Sequence, residues 1–131
     1  MMLGNVKAFS GFAVDDLETA RAFYADTLGM NVEVLDEENG LMALHHPENR
    51  DTLIYRKDDH VPATYTVLNF RVDDIDETVD GLAARGVQFE RYDAMPQDEK
   101  GVMRGLAANR GPDIAWFADP AGNILSVLQE A

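Results

Sequence analysis

The chain has no cysteine, one tryptophan, and fewer than half as many basic as acidic side chains. Without cysteine there is no disulfide framework, no thiolate metal ligand and no cysteine nucleophile. No apolar run approaches the roughly 20 residues that span a bilayer. The opening Met1-Met2-Leu3-Gly4 lacks the charged and apolar regions of a secretory signal, so a soluble, cytoplasmic protein is the expectation. Eleven Lys and Arg face 24 Asp and Glu, for a formal charge of −13. Such a surface repels phosphate backbones and anionic lipid, and neither nucleic acid nor a membrane is expected as a partner. It favours a cationic ligand, and it equally aids solubility. Gly101 and Gly105 lack the lysine and hydroxyl that complete a P-loop, and no nucleophile elbow occurs. The acidic pairs Asp15-Asp16, Asp58-Asp59 and Asp73-Asp74 lack the ligand spacing of a calcium loop, and two of them stand where helices need caps.

What the sequence does contain is a repeat. Phe12-Ala13-Val14-Asp15-Asp16-Leu17 returns as Phe70-Arg71-Val72-Asp73-Asp74-Ile75. Each copy follows an apolar run and precedes a helical pattern, which stops at Leu28-Gly29-Met30 or Arg85-Gly86-Val87. The 131 residues, 46% of them hydrophobic, suffice for one domain with a core. Two modules are expected within it, at 6–57 and 65–130. In the first, Val6–Val14 reads as a strand and Asp15 or Asp16 as a helix cap. Asp15 and Glu18 have the spacing of a capping box. Leu17, Ala20, Phe23, Tyr24 and Leu28 form one helical stripe. Strands follow at 31–35, 41–45 and 52–56, with Asn39-Gly40 in the first turn. In the second module, strand 65–72 leads to a helix over 75–85, then strands at 87–91, 113–118 and 123–129. Residues 92–112 lack sustained periodicity but carry Met95, Val102, Met103 and Leu106. Loops beyond about 12–15 residues are usually functional or disordered; both a lid over a cavity and a long packed excursion fit this one.

Phe23-Tyr24 before Leu28-Gly29-Met30, with Trp116-Phe117-Ala118-Asp119-Pro120-Ala121-Gly122-Asn123-Ile124-Leu125, resembles the vicinal oxygen chelate superfamily. That group includes glyoxalase I, bleomycin-resistance proteins and extradiol dioxygenases. The resemblance covers nearly the whole chain and implies an α+β fold, with two tandem β-α-β-β-β modules forming a curled, cup-shaped mixed sheet. It also implies a homodimer. Many members hold a divalent metal that binds two neighbouring substrate oxygens, through His, Gln or Glu on the first and last strands of each module. The matching positions here are Phe9, Val67 and Ser126, with the fourth among Thr52, Leu53 and Ile54. None of these side chains can supply imidazole, carboxamide or carboxylate donors, so no metal or other cofactor is expected. His45 and His46 are neighbours on a strand, face opposite sides and cannot bind one metal together; His60 lies in the linker.

By strand alternation, Phe9 and Gly11 face the cup from the first strand, and Val67, Asn69 and Arg71 from the fifth. Ser126 faces it from the last, between Ile124 and Leu128. Phe9, Gly11, Val67, Asn69, Arg71, Trp116 and Ser126 are thus the ligand-binding candidates, a mainly apolar set with few polar groups. Arg71 either meets an anionic partner in the cup or reaches solvent or a helix-cap Asp. Trp116 and Tyr65 either stack on a ligand or pack in the core. Two functions remain. One is a metal-free protein binding a small organic molecule; the other is a lyase, isomerase or dioxygenase of the same superfamily.

Overall fold

The computed structural model describes residues 2–131. The chain divides into two compact units at Val61/Pro62, and each repeats one order of elements. The first has β1 (Ser10–Val14), α1 (Leu17–Ala22), β2 (Asn31–Asp36), β3 (Leu41–His46) and β4 (Arg50–Arg56). The second has β5 (Thr66–Arg71), α2 (Ile75–Ala84), β6 (Met103–Arg104), β7 (Asp113–Ala118) and β8 (Ile124–Gln129). The sheets run β1-β4-β3-β2 and β5-β8-β7-β6. In each, the first strand pairs in parallel with the last, and the other pairings are antiparallel. The expected α+β class and the two β-α-β-β-β modules are therefore what the chain forms, with sheets that are curled and not closed.

Both helices begin at the second aspartate of the repeat. Asp16 accepts a hydrogen bond from the Thr19 amide, and Asp74 from that of Glu77. Each satisfies an amide that the first turn leaves without an intrahelical acceptor. The capping box expected from Asp15 does not form: Asp16 is the cap, which puts Thr19 and not Glu18 at the third helical position, and Glu18 pairs with Arg21 at 2.6 Å. The helical stripe of the first unit is also not continuous. At Phe23–Thr27 the helix widens by one residue per turn, with the Leu28 amide bonded to the Phe23 carbonyl. Leu17, Ala20 and Tyr24 remain buried, and Tyr24 meets Phe12 with ring centroids 6.2 Å apart.

Two strand assignments change. Val6–Phe9 is unpaired, and β1 starts at Ser10. Residues 87–91 form no regular strand; Phe89 alone bridges Phe117, and the Glu90 amide donates to the Trp116 carbonyl. The reason lies at the edge of β7. Its Trp116–Phe117 end is taken by Phe89–Glu90 and its Asp113–Ile114 end by β6, so two short segments share the place of one strand. The expected alternation still serves packing: Val87 is buried and Phe89 sets its edge against Phe117 at 5.7 Å.

Residues 92–112 form a braced excursion. Asp98 accepts from the amides of Lys100 and Val102 and from Arg104. Gln97 accepts from the Tyr92 amide and donates to the Glu90 and Gly101 carbonyls, while Arg91 donates to the carbonyls of Asp98 and Glu99. Arg104 and Lys100 then tie the segment to Asp76 on α2. Val102 is fully buried.

Candidate functional site

A helix covers one face of each sheet, and the chemistry available to a ligand is on the other. In the second unit the covered face is identified by Gln129, whose side chain accepts from the Ile75 amide at the start of α2. Val127 and Leu125 alternate with Gln129 and are buried. Ser126 and Leu128 point to the opposite face. There Asn69, Ser126 and Trp116 are direct cross-strand partners on β5, β8 and β7 and form one row. The Ser126 hydroxyl is 0% exposed and donates to the Asn69 carboxamide oxygen at 2.5 Å. Trp116 is 9% exposed, with Tyr92 edge-on at 5.6 Å. Burial pushes the Tyr92 phenol up from its ordinary value, with Glu90 adding to the effect.

The other candidates separate. Val67 is the extra residue of a bulge, since Thr66 pairs with Ile124 and Leu68 with the next residue, Leu125. Strict alternation therefore fails at Val67. Arg71 takes the solvent alternative: its side chain is 80% exposed and pairs with Glu130 at 2.6 Å. A charge at a strand end is less costly in water than on an apolar sheet face. Trp116 is a buried aromatic, whereas Tyr65 is exposed.

In the first unit, Phe12 and Tyr24 mark the covered face, so Gly11 and Ala13 belong to the open one. Phe9 precedes the paired strand and is 71% exposed. Gly11 stands against Leu53, and a Cβ there would come within 2.6 Å of the Leu53 carbonyl oxygen. The glycine thus permits the close β1–β4 approach. The open face also carries a charged cluster that the sequence did not reveal. His45 Nδ1 lies 2.7 Å from Asp51 on β4, and its Nε2 lies 2.8 Å from Glu33 on β2. The spacing of these residues along the chain gives no sign of it; only the β2-β3-β4 register makes them neighbours. His46 points the other way and pairs with Thr52 at 2.8 Å, as alternation requires. Burial lowers its pKa from the ordinary imidazole value.

Among the described residues no group of three or more His, Cys, Asp or Glu side chains is arranged to hold a metal ion. At the positions that the sequence resemblance assigns to metal ligands stand Phe9, Val67 and Ser126, and the Ser126 hydroxyl donates to Asn69. Side chains of these three types do not fit the metal.

Solved structures share the fold over nearly the full chain. A glyoxalase family protein from Bacillus anthracis is 23% identical, with a TM-score of 0.69, covering 99% of this chain and 100% of that one. A glyoxalase/bleomycin resistance protein/dioxygenase superfamily member from Sphaerobacter thermophilus is 25% identical, with a TM-score of 0.67 and coverage of 95% and 98%. TnmS3, an antibiotic binding protein from Streptomyces sp. CB03234, is 21% identical, with a TM-score of 0.67 and coverage of 97% and 98%. No curated protein matches the chain. The sequence model of the Glyoxalase/Bleomycin resistance protein/Dioxygenase superfamily matches residues 8–127. The two capped β-α-β-β-β units and this match agree: the chain belongs to that superfamily.

Proposed function

We propose that this chain binds a small organic molecule without the metal that many members of its superfamily use, on the open face of the second unit. One observation carries the proposal. Where the superfamily places a carboxylate on the last strand, Ser126 is buried and its hydroxyl is already spent on Asn69. A hydroxyl whose proton is held by Asn69 stays neutral and offers no anionic donor of the kind a hard or borderline cation favours. The row it forms with Asn69 and Trp116 instead sets an exposed carboxamide beside a largely buried aromatic side chain, a combination that supports a small-molecule site. The same fold is used for binding by TnmS3, an antibiotic binding protein.

A homodimer belongs to the same proposal. Met2, Leu3, Val6 and Phe9 expose apolar surface along the segment before β1, which association would remove from water. Sedimentation of the purified protein checks it.

The deciding experiment is metal content by mass spectrometry after incubation with nickel, zinc, manganese and iron and removal of the excess. The expected result is no ion retained in stoichiometric amount. A screen of organic ligands should then raise the melting temperature and change the emission of Trp116, the single tryptophan. One tightly held ion per chain would overturn the metal-free reading in favour of a lyase, isomerase or dioxygenase.

A further inference from the structure

We propose that His45, Asp51 and Glu33 form a proton-operated clamp that ties β2, β3 and β4 together on the open face of the first unit. The inference does not rest on the metal-free binding reading, which concerns residues of the other unit. It starts from geometry. Both ring nitrogens of His45 lie within hydrogen-bond distance of a carboxylate oxygen, Nδ1 at 2.7 Å from Asp51 and Nε2 at 2.8 Å from Glu33. A neutral imidazole has one donor and one acceptor, and an ionised carboxylate only accepts. With both carboxylates ionised, both contacts are hydrogen bonds only when the ring carries two protons. Neutral His45 would set a nitrogen lone pair against a carboxylate oxygen at one end, and that end must open.

The surroundings reinforce the protonated state. From β2 the charged group facing the ring is Glu33, beside the uncharged Asn31 opposite it; from β4 it is Asp51. On β3 itself His46 lies on the other face, and burial first, then the charge of His45, lowers its pKa. The hydrogen bonds to Asp51, and then to Glu33, raise the His45 pKa above its ordinary value. The side chain is 31% exposed, so protons exchange freely with solvent.

The position makes the clamp consequential. β2 is an edge strand, held to the sheet only through β3, and Glu33 lies diagonally across from His45 while Asp51 lies directly opposite. One imidazolium therefore spans three strands. Because the folded pKa is raised, its contribution is fully present below the unfolded imidazole value of about 6.5 and is lost as pH rises through the folded value. The open face then becomes more negative by one charge, and the link to β2 or β4 is released.

The test is an NMR titration of the His45 ring in the intact protein, read against the ordinary imidazole value of about 6.5 and repeated in Glu33→Gln and Asp51→Asn. Hydrogen exchange of the β2 amides is followed over the same pH range, corrected for intrinsic exchange. The clamp predicts that His45 titrates above that ordinary value and that each substitution lowers it. It also predicts that β2 protection falls through that titration and becomes pH-independent there in His45→Gln. Titration of His45 at or below the ordinary imidazole value, or a value unmoved by either substitution, overturns the proposal. Since the wild-type titration needs no variant, a variant that fails to fold does not remove the test.

Discussion

Ser126 and Asp119 show how differently two buried polar side chains weigh on the same β7–β8 hairpin. Ser126 has one bond, to an Asn69 oxygen whose residue is otherwise exposed. Its removal in Ser126→Ala returns that oxygen to water, and the expected loss is about 1 kcal/mol or less, with no change in metal affinity. A large metal-dependent defect in this variant would sink the assignment of Ser126 to the ligand position. Asp119 is 4% exposed and accepts from the amides of Ala121 and Asn123 and from the Asn123 carboxamide. Asp119→Ala leaves several buried donors unmatched, and urea denaturation should show a loss of roughly 2–4 kcal/mol. The Asp-Pro-x-Gly turn was legible in sequence, since Gly122 has a φ of +86° that glycine adopts readily. The coordinates add how the aspartate holds the turn, through the amides of Ala121 and Asn123 and the Asn123 carboxamide.

At the scale of the element, the repeated Asp-Asp pairs set where both helices start. Asp74→Ala should destabilise the protein by about 1 kcal/mol, read from thermal unfolding, while Asp73→Ala should be close to neutral because Asp74 makes the capping bond. Sequence spacing could not choose between adjacent aspartates, since a one-residue shift of the helix start leaves the apolar stripe almost unchanged. Nor could it foresee that residues 87–91 would yield half of the β7 edge to β6. Val87 and Phe89 alternate as strand residues do, but the partner edge is shared with a segment that enters from a long excursion. For residues 92–112, where a lid and a packed excursion both fit the sequence, the structure shows a segment cross-bonded through Asp98, Gln97 and Arg91 and anchored on α2.

That anchoring gives the molecule an acid-sensitive feature. Arg104, and after it Lys100, hold the Asp76 carboxyl well below the usual carboxylate range. A lowered folded pKa stabilises above the unfolded value, near 3.9, and the contribution is lost as pH falls through the folded value. In Asp76→Asn the protein should be less stable at neutral pH, and its deficit should narrow as pH falls below about 4. Equal deficits at pH 7 and pH 3 in denaturant titrations would remove Asp76 from the acid response. The sequence alone determined the duplicated units, the helix stops, the final turn and which side chains stand where the resemblance assigns metal ligands. These depend on local periodicity, on backbone conformations that few residues adopt, and on which atoms a side chain carries. Tertiary structure decided what depends on strand register. It brought Glu33, His45 and Asp51 together, joined Asn69 to Ser126, sent Arg71 to Glu130 and made Val67 a bulge. Register is a property of two paired strands, and one extra residue in either changes which side chains meet, so no single stretch of sequence contains it.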